Sequence, residues 1–205
     1  MNFIIKLKLG NITNLSDARF AAAVGIDYLG FCFDPSSENY IAPIKAKEII
    51  DWTTGVYIVA EFGDQTPDEI KDISELLNVD GIELNNSMLP DECAALEKAL
   101  IKKIDISRFD EEGLKTELAA YAAPCDVFHL YTSKPGEKLN ESLLAELCRS
   151  YKIIWGFELS AATVMHIIDT YQPYALHVSG GVEEKAGIKD FDELNDLLDV
   201  IRAED

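Results

Sequence analysis

Short apolar segments rich in Val, Ile, Phe and Tyr alternate with longer amphipathic segments from one end of the chain to the other. The apolar segments have the length of β-strands buried on both faces, and the amphipathic segments have the spacing of helices that cover them. The pattern predicts eight strands: Phe3–Leu9, Tyr28–Phe33, Val56–Phe62, Gly81–Leu84, Lys102–Ile106, Val127–Tyr131, Ile153–Phe157 and Ala175–Val178. It predicts eight helices: Ser16–Val24, Ile44–Asp51, Pro67–Leu77, Pro90–Leu100, Glu111–Ala122, Glu141–Ser150, Ala161–Tyr171 and Phe191–Ala203.

Some of the predicted helices begin with residues that stabilise a helix N-terminus. Ser16 and Asp17 precede an apolar-periodic segment, and Thr66 precedes Pro67 and two acidic residues. Such residues cap free backbone amides and complement the helix dipole. They mark element boundaries and carry no functional implication.

The order of the predicted elements points to one closed barrel. Each strand is followed by one helix, which favours a parallel sheet covered by helices. No Gly-x-Gly-x-x-Gly or Gly-Lys-Ser/Thr phosphate-binding loop follows the first strand, so the usual mark of an open doubly wound sheet is missing. No Pro/Ser-rich linker divides the 205 residues. We therefore predict a single domain, residues 1–205, with the (β/α)₈ TIM-barrel fold.

Charge and cysteine content exclude several classes of function. The chain has 37 acidic and 18 basic residues, a net charge of −19, which opposes binding to nucleic acid or to an anionic membrane. No signal peptide and no membrane-spanning segment is predicted, so we expect a cytoplasmic protein. The cysteines lack a Cys-x-x-Cys pair, which predicts free thiols rather than a metal knuckle or a disulfide framework; they are Cys32, Cys93, Cys125 and Cys148. No cofactor and no metal site is predicted.

Three segments together resemble the phosphoribosylanthranilate isomerase family. The first is Ile12-Thr13-Asn14-Leu15-Ser16-Asp17-Ala18, continued by Ala22, Gly25, Asp27, Leu29-Gly30-Phe31 and Phe33. The second, Pro35-Ser36-Ser37 with Tyr40-Ile41, is similar to the family's Pro-Lys-Ser-Pro-Arg-Tyr-Val loop. The third is Val178-Ser179-Gly180-Gly181-Val182-Glu183 with Gly187-Ile188-Lys189-Asp190, similar to the family's Val-Ser-Ser-Gly-Val-Glu and Pro-Gly-Ile-Lys-Asp. The order and spacing of these segments cover the chain.

The resemblance implies a barrel that opens an aminoribose phosphate by an Amadori rearrangement. That reaction needs an acid to protonate the ring oxygen and a base to remove the proton from the second sugar carbon. Family members use an aspartate and a cysteine. Matching Lys8-Leu9-Gly10-Asn11 to the family's Lys-Ile-Cys-Gly places Gly10 at the base position, and matching Phe128-His129-Leu130-Tyr131-Thr132 to its Leu-Leu-Asp-Thr places Tyr131 at the acid position.

Other positions depart from the family pattern and remove groups that favour an anionic substrate. Asn39 stands at the arginine of the second loop, Asn85 at the histidine of the fourth strand, and Asp105 at the basic residue of the fifth. Phe157-Glu158 replaces the Gly-Gly pair that lets backbone amides approach the sugar phosphate, and His177 replaces an aspartate. The part of the phosphate cradle that remains is Ser179-Gly180-Gly181.

Several side chains near the predicted strand ends are candidates for replacing the missing acid and base. They are Cys32, Asp34, Glu61, Asp64 and His177. For Cys32 the alternative is a core thiol, for Glu61 and Asp64 it is loop solvation or helix capping, and for His177 it is a hydrogen-bonded core histidine. We expect no chemistry from His129 or His166.

Three hypotheses follow from these residues. The main one is a non-catalytic or repurposed paralogue, with ligand contacts at Ser179, Gly180, Gly181, Asn39, Asn85 and Glu158. The second is an active phosphoribosylanthranilate isomerase with relocated acid and base groups. The third is a different small-molecule enzyme with an acidic face of Glu61, Asp105 and Glu158 that holds a divalent cation. In each case a small or phosphate-bearing ligand would bind the C-terminal face of a monomer or homodimer.

Overall fold

Eight parallel strands close into a barrel in the computed structural model, which describes residues 5–85, 88–134, 136, 140–179, 183–185, 188–189 and 191–203. Each strand pairs with the next one in sequence, and β8 pairs with β1. The strands are β1 (Lys6–Gly10), β2 (Tyr28–Cys32), β3 (Tyr57–Phe62), β4 (Gly81–Leu84), β5 (Ala99–Asp105), β6 (Val127–Tyr131), β7 (Ile153–Trp155) and β8 (Ala175–Ser179). The predicted barrel is confirmed.

The helices alternate with the strands and cover the outside of the barrel. They are α1 (Leu15–Ala23), α2 (Pro43–Ile50), α3 (Pro67–Leu77), α4 (Pro90–Ala94), α5 (Glu111–Tyr121), α6 (Glu141–Ser150), α7 (Val164–Tyr171) and α8 (Asp192–Ala203). A 3₁₀ turn, Ile106–Arg108, follows β5, and the antiparallel strands β9 (Glu183–Lys185) and β10 (Ile188–Lys189) lie between β8 and α8. Among the helices of the described residues, none combines the length and apolar character needed to cross a bilayer.

The largest difference from the predicted boundaries is at α4 and β5. The predicted helix Pro90–Leu100 ends at Ala94, and the strand begins at Ala99. Leu96 and Leu100 have helical spacing, which suggested a longer helix, but Glu97 adopts a left-handed backbone conformation with φ of 51°. A residue in that conformation stops the helix and redirects the chain. Leu100 is therefore buried as part of β5.

Two helix N-termini illustrate how local chemistry sets the boundaries. Thr66 caps α3 as predicted, because its hydroxyl accepts from the amide of Glu69 and the Glu69 carboxylate accepts from the Thr66 amide. The predicted cap at Ser16 and Asp17 is wrong by two residues. Asn14 caps α1, and its Oδ1 accepts from the amide of Asp17 at 2.9 Å.

An aspartate repeats at the N-terminal end of three strands. Asp27, Asp80 and Asp126 directly precede β2, β4 and β6. Each carboxylate accepts from a backbone amide of the preceding strand, at 2.8 Å from Leu7, 2.8 Å from Ile58 and 3.2 Å from Leu100. The amide of each aspartate donates to the carbonyl of that same residue at 3.0 Å. These paired hydrogen bonds fix the register of three strand pairs at this end of the barrel.

Candidate active site

The side chains inside the barrel change from apolar to polar and charged along the direction of the strands. Close to the N-terminal end, the inward side chains are apolar and form one cluster, consisting of Val59, Ile101, Val127, Ile154 and Ala175. Two residues further along the same five strands stand Glu61, Lys103, His129, Gly156 and His177. Because side chains two positions apart in a strand face the same side, both sets face the barrel interior. We call the ionisable side chains of the second set, together with Lys8 and Glu83, the polar layer.

Ion pairs join the charged members of the polar layer. The Lys8 ammonium contacts a carboxylate oxygen of Glu61, and it lies 3.0 Å from Oε2 of Glu83. Lys103 Nζ lies 3.7 Å from the other carboxylate oxygen of Glu83, and His129 Nδ1 lies 3.0 Å from Oε2 of Glu83. Lys8 and Glu83 are almost fully inaccessible to solvent. Two positive and two negative charges therefore balance inside the barrel, as burial of charge requires.

The ion pairs fix the charge states of this layer. Burial alone would lower the pKa of Lys8, but the carboxylates of Glu61 and Glu83 raise it above its usual value. Burial would raise the pKa of Glu83, but Lys8, His129 and Lys103 hold it well below its usual value. Lys8 is therefore a cation and Glu83 an anion throughout the neutral pH range.

Two histidines complete the polar layer. Burial is the main cause that lowers the pKa of His129, and burial, His129 and Lys8 hold the pKa of His177 well below its usual value. Both imidazoles are therefore neutral near pH 7, and the Glu83 carboxylate assigns the proton of His129 to Nδ1. The two rings lie 4.6 Å apart. His129 Nε2 and His177 Nδ1 are buried without a hydrogen-bond partner among the described residues.

Glycines provide the space that the polar side chains occupy. A Cβ atom at Gly10 would lie 2.8 Å from Cε1 of His177 and 3.2 Å from Oε1 of Glu61. A Cβ atom at Gly30 would collide with the carboxylate of Glu61, and one at Gly156 would collide with the ring of His129. The imidazole of His177 therefore fills the space beside Gly10, the residue that the resemblance assigns to the base position.

A cavity of about 490 Å³ opens at the C-terminal ends of β3 to β6. Its lining includes the acidic and amide residues Asp34, Asp64, Asn85 and Asp105, and also Tyr131, which the resemblance assigns to the acid position. The bases Lys103 and Arg108 also line it. The cavity is therefore lined by charges of both signs, and its two named bases are paired, Arg108 with Asp105 and Lys103 with Glu83.

Asp105 and Tyr131 have different capacities for proton transfer. Burial would raise the pKa of Asp105, but hydrogen bonds from the hydroxyl and backbone groups of Ser133 and Ser107 lower it to about 2. Its carboxylate accepts from both serine amides at 3.1 Å, so Asp105 is a fixed anion that joins two loops. Tyr131 is partly exposed, its hydroxyl lies 3.5 Å from Oδ1 of Asn85, and Lys103 Nζ lies 5.1 Å from its ring centre.

A second depression, a groove of about 310 Å³, lies over β7 and β8. His177, Phe157 and Glu158 line it, together with Glu193 from the first turn of α8. Helix N-termini attract anions, but here the acidic residues of the protein already stand at that end. Two carboxylates, those of Glu158 and Glu193, therefore stand where an anion would approach this groove.

The remaining predicted site residues have varied surroundings. Cys32 is buried at the end of β2, which agrees with a core thiol. Oδ1 of Asp34 accepts from the amide of Ser36 at 2.9 Å, so this carboxylate stabilises its own turn at the rim of the cavity. Asn39 lies in the turn after β2 and lines neither the cavity nor the groove. Ser179 ends β8 beside Gly10, whereas Gly180 and Gly181 lie outside the described residues.

The hypothesis of a divalent cation bound by acidic residues finds no support in the geometry. Glu61 is paired with Lys8, Asp105 lines the cavity, and Glu158 lines the groove. Within the part of the chain that the structure describes, no three His, Cys, Asp or Glu residues are grouped as metal ligands. The three carboxylates therefore belong to separate surroundings.

Sequence analysis missed four members of the polar layer. They are Lys8, Glu83, Lys103 and His129, and each lies within a predicted buried strand. One feature of the sequence could have indicated them, because charged residues occur within strands that are predicted to be buried. Ionisable side chains are rare in such strands unless they are paired. Partners on different strands cannot be identified without the barrel.

Known proteins resemble this chain over nearly its whole length. Residues 7–200 match the family model of N-(5'-phosphoribosyl)anthranilate (PRA) isomerase. The N-(5'-phosphoribosyl)anthranilate isomerase of Chlorobium phaeobacteroides is 30% identical, covering 97% of this chain and 98% of the relative. The crystal structure of the Thermus thermophilus enzyme has a TM-score of 0.83 and 26% identity, covering 98% of this chain and 100% of the other. A structure of monomers made from the dimeric Thermotoga maritima enzyme has a TM-score of 0.83 and 26% identity, covering 97% and 99%.

Proposed function

The chain belongs to the N-(5'-phosphoribosyl)anthranilate isomerase family, and we propose that it catalyses the isomerisation for which its relatives are named, with His177 as the base. The observation that carries this proposal is the position of the His177 ring in the space of a residue-10 side chain. The neutral state of His177, which follows from its lowered pKa, leaves a nitrogen lone pair that can accept a proton. The base is thus relocated from β1 to the neighbouring strand β8.

Tyr131 is the proton donor in this proposal. It lines the cavity at the position of the family's acid, and the nearby Lys103 ammonium would stabilise the phenolate that proton donation produces. His177 would remove the proton from the second sugar carbon while Tyr131 protonates the ring oxygen, so the ring opens and the enolamine product tautomerises to the ketone. A phenol is a weaker acid than a carboxyl group, so turnover would be slow.

The test is an isomerase assay on the purified protein with N-(5'-phosphoribosyl)anthranilate, together with complementation of a tryptophan auxotroph that lacks this isomerase. We expect measurable turnover, and a loss of about 10²-fold or more in kcat for His177→Asn and for Tyr131→Phe, as for other acid–base groups. His166→Asn, on the exposed face of α7, is the matched control and should keep full activity. Absence of turnover and of growth, or an active His177→Asn variant, would reject the proposal.

The charge of the groove favours a second candidate, a barrel that has lost the reaction and keeps a binding role. Glu158 and Glu193 stand where an anionic group would have to approach the β7 and β8 ends. Calorimetric titration with inorganic phosphate separates the two candidates, because an isomerase that binds its substrate through phosphate should bind this anion weakly but measurably. Binding that appears only in a Glu158→Gly variant, together with an inactive wild-type protein, would support the second candidate.

A further inference from the structure

A cavity of about 310 Å³ opens at the N-terminal end of the barrel, at the opposite end of the strands from Tyr131. Ile101 and Ile154 from the apolar cluster line it. The first residues of six consecutive strands also line it, and they are Lys6, Tyr28, Tyr57, Gly81, Ala99 and Val127. We call it the basal cavity. The proposed isomerisation uses none of these residues.

Lys6, Tyr28 and Tyr174 form a hydrogen-bonded group at the basal cavity. Lys6 Nζ donates to the hydroxyl oxygen of Tyr174 at 2.8 Å and to that of Tyr28 at 3.3 Å. The two hydroxyl oxygens lie 2.9 Å apart, so one phenol donates to the other. An ammonium group has three hydrogens to donate, and each phenol has one. Whichever phenol donates, one ammonium hydrogen and one phenolic hydrogen have no acceptor among the described residues.

A ligand in the basal cavity can reach these two donors. Lys6, Tyr28 and Tyr174 are half-buried and line the cavity, so in the free protein water can accept their remaining hydrogens. The ammonium nitrogen lies at most 3.3 Å from either hydroxyl oxygen, so both donors can bind the two oxygens of one carboxylate. A carboxylate therefore uses both hydrogens at once.

The charge around the basal cavity also favours an anion. Lys6 and Lys152 line it, and none of the ion pairs within the described part of the chain includes either lysine. Asp126 is the one acid among the described lining residues, and its carboxylate accepts from the Leu100 amide. Burial would raise the pKa of Tyr174, but the hydrogen bonds to its hydroxyl and the charges of both lysines lower it. The potential at this hydroxyl is therefore positive.

The aromatic side chains of the basal cavity suit a planar ring. The rings of Tyr28 and Tyr57 meet edge to face with their centres 5.3 Å apart, and the Tyr57 hydroxyl donates to the Asp80 carbonyl at 2.8 Å. Tyr28, Tyr57 and Tyr174 all pack against the apolar cluster. Aromatic rings prefer edge-to-face and offset contacts with other rings. The volume is near the lower limit of ligand-binding pockets, so the cavity suits a molecule with a single ring.

We propose that the basal cavity binds a small aromatic carboxylate. The carboxylate accepts from the Lys6 ammonium and from the phenol of Tyr174 or Tyr28, and the aromatic ring lies among the tyrosine rings. The site is at the other end of the barrel from Tyr131 and His177, and its existence does not depend on the isomerase activity.

Benzoate tests the proposal, because it combines one ring with one carboxylate. The chain has eight tyrosines, so the full-length protein labelled with ¹³C at tyrosine Cζ gives eight signals. Single substitutions to Phe assign the signals of Tyr57, Tyr174 and Tyr131. Benzoate at millimolar concentration should shift the Tyr57 and Tyr174 signals along one saturable curve. Unmoved signals at both residues, or a shift confined to Tyr131 at the barrel mouth, would overturn the proposal.

Two analogues separate the contributions of the charge and the ring. Benzyl alcohol lacks the negative charge and should bind at least about 5-fold more weakly than benzoate. Cyclohexanecarboxylate keeps the charge but lacks the aromatic ring, and should bind at least about 2-fold more weakly. Equal binding of benzyl alcohol would overturn the assignment of a carboxylate, and equal binding of cyclohexanecarboxylate would overturn the assignment of an aromatic ligand.

Three variants locate the carboxylate, with the Tyr57 signal as the readout. Lys6→Met should raise the dissociation constant of benzoate about 10-fold, because it removes a charged donor. Lys152→Met should raise it about 2-fold, as expected for an exposed charge, without altering the hydrogen bonds of Lys6. Lys45→Met removes the same charge from the exposed face of α2, outside the cavity, and should leave the affinity unchanged. Unchanged affinity in Lys6→Met, or an equal loss in Lys45→Met, would contradict the proposed placement.

Discussion

The apolar cluster of Val59, Ile101, Val127, Ile154 and Ala175, which we call the apolar layer, differs from the polar layer although the two lie only two positions apart along the strands. At one level stand side chains such as Val59 and Ile101, and at the next stand Glu61 and Lys103. The apolar layer is stabilised by burial, and this stabilisation does not depend on which strand supplies the neighbouring side chain. The polar layer is stable only while each buried charge keeps a partner of opposite charge. The apolar layer therefore stabilises the fold, whereas the polar layer limits the chemistry that the barrel can carry out.

Lys8→Met should have the largest effect, because it breaks the polar layer at its centre. The substitution leaves Glu61 and Glu83 facing each other without their shared cation, so we expect a loss of about 3–5 kcal/mol in the free energy of unfolding. Urea denaturation measures it. Val59→Ala in the apolar layer is the comparison and should cost less, about 1–3 kcal/mol.

The double variant Lys8→Met/Glu61→Leu sharpens this result. It removes one buried charge of each sign, and Glu83 keeps Lys103 and His129 as partners. The double variant should therefore be more stable than Lys8→Met alone. If it is less stable, the ion pairs do not control the stability of this layer.

Gly10→Ala should destabilise the protein by about 1–3 kcal/mol, because the added methyl group meets the His177 ring. Thermal or urea unfolding should show that the double variant Gly10→Ala/His177→Ala regains part of the lost stability, because the ring of residue 177 has been removed. The two substitutions are thus expected to be non-additive. Strict additivity would show that the ring of His177 does not occupy the space next to residue 10.

The barrel could be predicted from the sequence because its determinants are local. The strand and helix patterns, the Thr66 cap and the resemblance at both ends of the chain each involve neighbouring residues. That a glycine, Gly10, stands at the position that the resemblance assigns to the base could also be read from the sequence. The placement of the His177 ring beside Gly10 could not, because it depends on the pairing of β1 with β8 and on ring orientation. Helix α4 was predicted too long because the apolar spacing around Leu96 suits a helix and a strand equally.

The pH dependence of stability tests the neutral state of His177. Its pKa in the folded protein lies below that of an unfolded histidine, near 6.5. The unfolded chain therefore binds more protons as the pH falls below about 6.5, so the free energy of unfolding decreases there, by up to about 1.4 kcal/mol per pH unit for one histidine. Urea midpoints at several pH values should show a smaller slope in His177→Asn. An identical slope would place the titration on other groups, such as His129.

Asp80→Ala tests the end of the barrel far from the polar layer and should have the smallest effect. The Asp80 carboxylate accepts from the Ile58 amide, but it is exposed, and water can replace it. We therefore expect a loss of only about 0.5–1 kcal/mol in the free energy of unfolding, measured by urea denaturation. The pH dependence assigned to His177 should stay unchanged, because the hydrogen bond from Ile58 to Asp80 lies at the opposite end of β3 from Glu61. A changed pH dependence in Asp80→Ala would mean that the two ends of the barrel are energetically coupled. The N-terminal end could then no longer be described as a purely structural support for the polar layer.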